Sequence, residues 1–302
     1  MNLEELKNFI IENSRDVDAE FRRLFHGRGG CYKGWESLTV DSIDKVLSVA
    51  LYAPLEDFDA FIEMLKELFA TDRWQACILQ KRYEKETPTE LLFGELPNAS
   101  VAIEDGLKIK LNLQSNQNSG YFPDMKVGHL FVKELSSGKN VLNLFSYTCV
   151  FSLFALKGGA KKVVNVDMSK GALSTGRENH RLNELDTRSV QFMPYNILKS
   201  WSRIKKAGPY DLIIIDPPSF QRGSFEATKD YQKIIKRLPE LASTSCTVLS
   251  CLNSPDLDTQ FIKDIFTEMA PEFVFEKRLD NLKSFPALDE ERSLKNLIFK
   301  RK

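Results

Sequence analysis

The 302-residue sequence predicts an α/β protein. A small N-terminal α+β domain spans residues 1–115, and a Rossmann-like domain built on a seven-stranded sheet spans 116–302. Three observations carry this reading. From residue 140 onward, nearly continuous apolar runs alternate with amphipathic stretches, the pattern of parallel strands covered by helices on both faces. The stretch VLNLFSYTCVFSLFALKGGAKKVVNVDMS at 141–169 reads as strand, loop, helix, strand and acid, the layout of a nucleotide-binding crevice. The first 115 residues show a different and less regular rhythm.

In order, the N-terminal part begins with LEELKNFIIENS, an amphipathic helix, followed by LTVDSIDKVLSVALY, which contains strand. EDFDAFIEMLKELF places Phe58, Phe61, Ile62, Leu65 and Phe69 at helical spacing, a core-facing stripe. WQACILQKRYE and LKIKLNLQ supply further strands, and residues 97–100 and 114–120 are turn-rich interruptions. The second part has strand candidates at 141–145, 162–167, 190–195, 211–216, 246–251, 273–278 and 295–301. The last two follow each other without a helix, which predicts an antiparallel edge.

Composition narrows the function. Hydrophobic residues make up 42 % and charged residues 28 %, ordinary for a soluble domain. No apolar run approaches the ~18 residues of a membrane span, so no membrane partner is expected. The five cysteines are scattered without a C-x-x-C pair, against a zinc site or disulfide framework and for the reducing cytoplasm. Basic and acidic residues balance at 42 each. Nucleic acid would therefore be held by local patches: Arg22, Arg23, Arg28 and Lys33 around His26, and Lys81, Arg82 and Lys85. Each patch reads equally as solvated surface charge.

In a parallel sheet, function gathers at the carboxyl tips of the strands. After the first strand, the loop Ser146-Tyr147-Thr148-Cys149 lacks glycine, although dinucleotide-binding loops use glycines to approach a pyrophosphate. S-adenosylmethionine (SAM) has no phosphate, so the missing glycines weigh more against NAD than against SAM. Asp167 ends the second strand, where an acid accepts ribose hydroxyls; its bland alternative is a helix N-cap. DLIIIDPPSF ends the fourth strand at Asp216, and Pro217 and Pro218 fix the backbone beyond it. That rigidity can aim the carboxylate at a planar substrate carrying N–H groups, with Phe220 as a wall. Cys251 ends the fifth strand and, beside Asp216, could attack C6 of a cytosine as a thiolate; otherwise it is a small buried residue. Cys246, on the opposite parity, reads as core.

These residues together resemble the SAM-dependent ribosomal RNA large-subunit methyltransferases, the group that makes 5-methylcytosine and 7-methylguanine in 23S rRNA. The resemblance runs over roughly residues 20–302. It rests on QNSGYFPDMK (117–126), NLFSYTCVFS (143–152), VDMSKGAL (166–173), ENHRLNEL (178–185), DPPSF and SFPALDEERSLKNLIFKR. It implies SAM in the crevice, held by Asp124, Ser146, Tyr147, Thr148, Cys149, Asp167, Met168, Asn196, Asp216 and Pro217. Asp167 would take the ribose, Asn196 the adenine and Asp124 would close the pocket. Asp216, Pro218 and Phe220 would face the target base, with Asp216 and Cys251 catalytic if the product is 5-methylcytosine. Guanine-N7 methylation without a nucleophile, and a non-catalytic RNA- or protein-binding module, are the alternatives. The implied partner is RNA, 23S rRNA in particular; the sequence leaves the oligomeric state open, a homodimer included.

Three positions depart from the family's pattern. Cys149 replaces a loop glycine, with its side chain expected where backbone normally passes and a cost of about 1 kcal/mol if φ is positive. Asn196 stands where Asp is usual, and Lys126 where Arg is usual.

Overall fold

The computed structural model describes all residues except 16–19, 87, 115–117, 219 and 222–224, and the side chains of residues 220 and 221. The chain forms two compact units. One comprises Met1–Pro123 with Leu282–Leu288, the other Asp124–Asn281 with Asp289–Lys302. The division falls several residues beyond the 115/116 position expected from composition, and the first unit recruits a distant segment. The reason is local packing. Leu288 donates its backbone N–H to Gly29 at 2.9 Å, the Phe285 ring lies 5.1 Å from that of His26, and the Arg23 guanidinium sits over Phe285 at 4.7 Å.

The first unit opens with α1 (Leu3–Asn13), whose start is fixed by a reciprocal capping box. Asn2 Oδ1 accepts from the Glu5 N–H and Glu5 Oε2 from the Asn2 N–H, satisfying two helix-end donors. Strands β1 (Arg22–His26), β2 (Leu38–Ile43) and β3 (Val46–Leu51) follow, then α2 (Phe58–Phe69), β4 (Ala76–Lys81) and β5 (Thr89–Gly94). They form one sheet in chain order, antiparallel except where α2 returns the chain parallel from β3 to β4. The buried face of α2 is Phe61, Met64, Leu65 and Leu68. Phe58, Ile62 and Phe69, expected in the same stripe, are only partly buried at its margins. A hairpin of β6 (Ser100–Glu104) and β7 (Leu107–Leu111) completes the unit.

The second unit contains α3 (Lys126–Leu135), β8 (Asn140–Leu144), α4 (Val150–Lys157), β9 (Lys162–Val166), α5 (Lys170–Leu182) and β10 (Val190–Met193). It continues through α6 (Trp201–Ala207), β11 (Tyr210–Ile215), a short hairpin of β12 (Phe220–Gln221) and β13 (Phe225–Glu226), α7 (Ala227–Ile235) and α8 (Leu238–Leu241). It ends with β14 (Ala242–Leu252), α9 (Thr259–Met269), β15 (Phe273–Leu279) and β16 (Lys295–Arg301). The seven-stranded sheet has the order β10-β9-β8-β11-β14-β16-β15. All pairs are parallel except those of β16, which inserts antiparallel between β14 and β15.

The expected seven strands are therefore present, with the antiparallel edge. Their parity sorts two cores. Leu142, Leu144, Ile213, Ile215, Val248 and Cys246 pack on one face. Val141, Leu212, Ile214, Leu249 and Cys251 pack on the other, beneath α3 and α4. The chain leaves β8 for β9 on one side and later adds β11 on its other side. This switch point opens a crevice beyond the carboxyl ends of β8 and β11.

Candidate active site

The loop from β8 to α4 is held in an uncommon backbone. Phe145, Tyr147 and Cys149 all have positive φ, at 57°, 45° and 62°, where L-residues other than glycine pay roughly 1–2 kcal/mol each. Hydrogen bonds hold this turn in place. Asp167, just beyond β9, accepts the Tyr147 N–H on Oδ2 at 2.9 Å and the Ser169 N–H on Oδ1 at 2.8 Å. The N-cap of α5 is Ser169, which accepts from Ala172 N–H, so Asp167 is not the cap. Its remaining lone pairs are available to a ligand in the crevice.

Cys149 does not obstruct the crevice as expected. Its side chain is fully buried and turned onto α5, where a Cβ on Gly176 would lie only 2.5 Å from Sγ. Burial pushes its thiol up to about 12, so it stays neutral and serves as packing. α5 also fixes the loop through Asn179, whose Nδ2 donates to the Thr148 carbonyl at 3.0 Å. Beneath lies a buried polar chain. Asn143 donates to Asn165 at 2.9 Å, Asn165 to Ser152 at 3.0 Å, and Ser152 Oγ meets His180 Nε2 at 2.9 Å.

A small cleft beside Asp167 is lined by Phe145, Met168, Tyr195, Asn196, Ile197 and Leu198. In its wall the Asn196 Oδ1 is buried without a hydrogen-bond partner among the described residues. A buried acceptor left unpaired costs about 1–3 kcal/mol, and an adenine amine would satisfy it. Asp167 and this orphaned acceptor together fit an adenosine-bearing cofactor. Met168 is 47 % exposed at the cleft rim. Phe145, Tyr195, Ile197 and Leu198 were not among the expected site residues. Tyr195 lies beyond the end of β10, and nothing in an apolar sequence position marks a lining role.

On the other side of the switch point Asp216 follows β11, with Pro217 buried and Pro218 exposed. Removal from water pushes its carboxyl up to about 7, and the nearby charge of Asp124 adds to this. Asp124 lies in the 3₁₀ turn Pro123–Met125 that leads into α3. The parallel register pairs Ile215 with Ser250, which sets Cys251 level with Asp216 on the same face. Cys251 is 1 % exposed, and burial, reinforced by Asp216 and Asp124, holds its thiol well above the usual range. Tyr231 donates to the Cys251 carbonyl at 2.8 Å. Ser219, Gln117 and the Phe220 side chain lie outside what is described. Lys126 opens α3, and no group of three His, Cys, Asp or Glu that could hold a metal occurs among the described residues.

The model of the S-adenosylmethionine-dependent methyltransferase family matches residues 22–300. The chain belongs to this family. Its cofactor is SAM, as the crevice residues suggest. Among curated relatives, the ribosomal RNA large subunit methyltransferase I of Aeromonas hydrophila is 34 % identical over 239 residues, covering 70 % of this chain and 60 % of that protein. The protein of the same name in Shewanella amazonensis is 29 % identical over 283 residues, covering 88 % of this chain and 71 % of its own length. The chain thus spans about 60 % of the Aeromonas relative. A solved structure from Streptococcus mutans, described as a SAM-dependent methyltransferase, superposes with a TM-score of 0.87 at 23 % identity. That match covers 99 % of this chain and 82 % of the other, and it establishes the shared fold.

Proposed function

We propose that the chain methylates a base of large-subunit ribosomal RNA, with 5-methylcytosine as product. The observation that carries the chemistry is the pairing, across the β8–β11 switch point, of Asp167 and the unpaired buried Asn196 Oδ1 on one side with the Asp216 carboxyl, raised to about 7, on the other. The choice of ribosomal RNA rests on the names of the relatives. Bound SAM supplies an electrophilic methyl group. Asp167 and Asn196 orient its adenosine, and the strained loop at 145–149 presents backbone to its methionine part. Asp216, rigid before two prolines, accepts from the exocyclic amine of a base extruded from its helix. Cys251 would add through sulfur to C6 as its thiol proton passes to ring N3; C5 would take the methyl group that SAM supplies, leaving S-adenosylhomocysteine; and loss of the C5 and N3 protons, one to the departing sulfur and one to Asp216, would restore the ring.

A second reading is favoured by one observation. Cys251 is buried and its thiol strongly disfavours ionisation, which suits methylation at a ring nitrogen with no covalent step. Incubation with unmodified large-subunit RNA and labelled SAM, followed by nucleoside analysis, separates the two. The proposal expects label in 5-methylcytosine, abolished by Cys251→Ala. Label in a methylguanosine with Cys251→Ala fully active gives the second reading. No label in any RNA overturns both.

A further inference from the structure

Two basic stretches far apart in sequence, around Arg28 and around Arg82, meet on one aromatic ring. The Arg28 guanidinium lies 4.1 Å from the centroid of Tyr52 and that of Arg82 lies 5.4 Å from it. We propose that Arg28, Tyr52 and Arg82 form a docking surface for a single-stranded segment of RNA on the first unit. This rests on the reading of the chain as an RNA methyltransferase and adds where, outside the crevice, the substrate is gripped.

The surrounding residues divide into committed and available charges. Arg23 is bound to Asp41 at 2.5 Å and to His26, and Lys81 to Glu90 at 2.9 Å; neither is free for a ligand. Arg28 is exposed and forms no ion pair among the described residues. It projects from a rigid turn, because a Cβ at Gly27 would strike the Trp35 carbonyl and one at Gly29 the Pro286 carbonyl. Arg82 is held in place by its own contacts. Its side chain donates to Gln80 at 3.0 Å and Asn118 at 3.2 Å, and its backbone to Leu51 at 2.7 Å. Tyr52 is anchored by its N–H to Ser37 at 2.8 Å.

Lys33 and Lys85 are exposed nearby in sequence, as are Glu36, Glu84 and Glu86. A planar guanidinium stacked on an aromatic ring offers a base a stacking partner and a phosphate a set of in-plane donors. A membrane surface has no planar group to use the ring, and an acidic peptide uses only the charge. RNA uses both.

The test is fluorescence anisotropy with a labelled single-stranded RNA of mixed sequence, over a salt series, on the full chain and on Arg28→Glu and Tyr52→Ala. Arg28 is exposed and lies over Tyr52, with the half-buried His26 as its other electrostatic neighbour, so Arg28→Glu should fold and bind SAM calorimetrically as wild type does. The expected result is binding weakened roughly ten-fold or more in each variant. For Arg28→Glu the slope of log affinity against log salt should also become shallower by about 0.7 or more. Wild-type affinity and slope in both variants would overturn this surface while leaving the RNA reading intact. No RNA binding by wild type would overturn both. Full competition by polyglutamate at equal charge concentration would replace RNA with an acidic protein partner.

Discussion

Cys149 and Gly176 form a matched pair: a side chain occupies a left-handed position, and the helix opposite has no Cβ to make room for it. Gly176→Ala should therefore destabilise the second unit by about 1–3 kcal/mol, the usual cost of overpacking. Adding Cys149→Gly should recover most of that loss, since it removes both the clash and the left-handed penalty. Denaturant unfolding of the two single variants and the double variant checks this as a double-mutant cycle. The sequence identified position 149 as a missing glycine, but it could not show the direction of the sulfur, because that depends on a helix 27 residues further on. The sequence also marked Asp167, Asp216 and Cys251, because they end apolar strands. It did not mark Phe145, Tyr195 or Leu198, whose apolar character is equally that of core.

The Asp216 carboxyl is raised from 3.8 to about 7 in the folded chain, so between those values the folded state binds more protons than the unfolded state. Its contribution to stability is then fully present below about 3.8 and is lost as pH rises through about 7. Asp216→Asn should stabilise the chain at pH 8 by up to a few kcal/mol, with little effect at pH 4. The same substitution should abolish base methylation. Melting curves at the two pH values would show the difference, and an equal shift at both would refute the assignment.

At the scale of elements, the tip of β14 is tied to the connection before β16 by a buried lysine. Lys295 Nζ donates to the carbonyls of Ser254 at 3.0 Å, Glu291 at 2.5 Å and Ser293 at 2.9 Å. Lys295→Met keeps the length and leaves three inward-facing carbonyls unpaired. It should cost at least about 2 kcal/mol and loosen the segment that follows Cys251, which hydrogen exchange at residues 252–256 would register as faster exchange. The seven strands were legible because strands buried on both faces read as unbroken apolar runs. The buried face of α2 was shifted by one position in the reading, because Phe58, Ile62 and Phe69 fit the same period as Met64 and Leu68, and only packing chooses between them.

At the scale of the whole molecule, the chain's two units respond differently to acid. His26, in the first unit, is lowered from 6.5 to about 3 by burial and by Arg23 and Arg28. Its contribution is present above about 6.5 and is lost as pH falls towards 3, opposite in sign to that of Asp216. His26→Gln should flatten the loss of stability between pH 6.5 and 4. The two-unit organisation was only partly legible. Composition marks a change near residue 115, but the return of Leu282–Leu288 to the first unit depends on contacts between residues over 250 apart. Balanced charge over the whole chain left any grip on RNA to local patches, and the convergence on Tyr52 depends on three strands and a turn.

We propose that the crevice beyond β8 and β11 binds SAM through Asp167 and Asn196. Isothermal calorimetry with SAM, on wild type and Asp167→Ala, tests it most directly. Binding should be saturable at one site per chain and weakened at least about ten-fold when the carboxylate is removed. Absence of heat with the wild type, or equal affinity in Asp167→Ala, would contradict it.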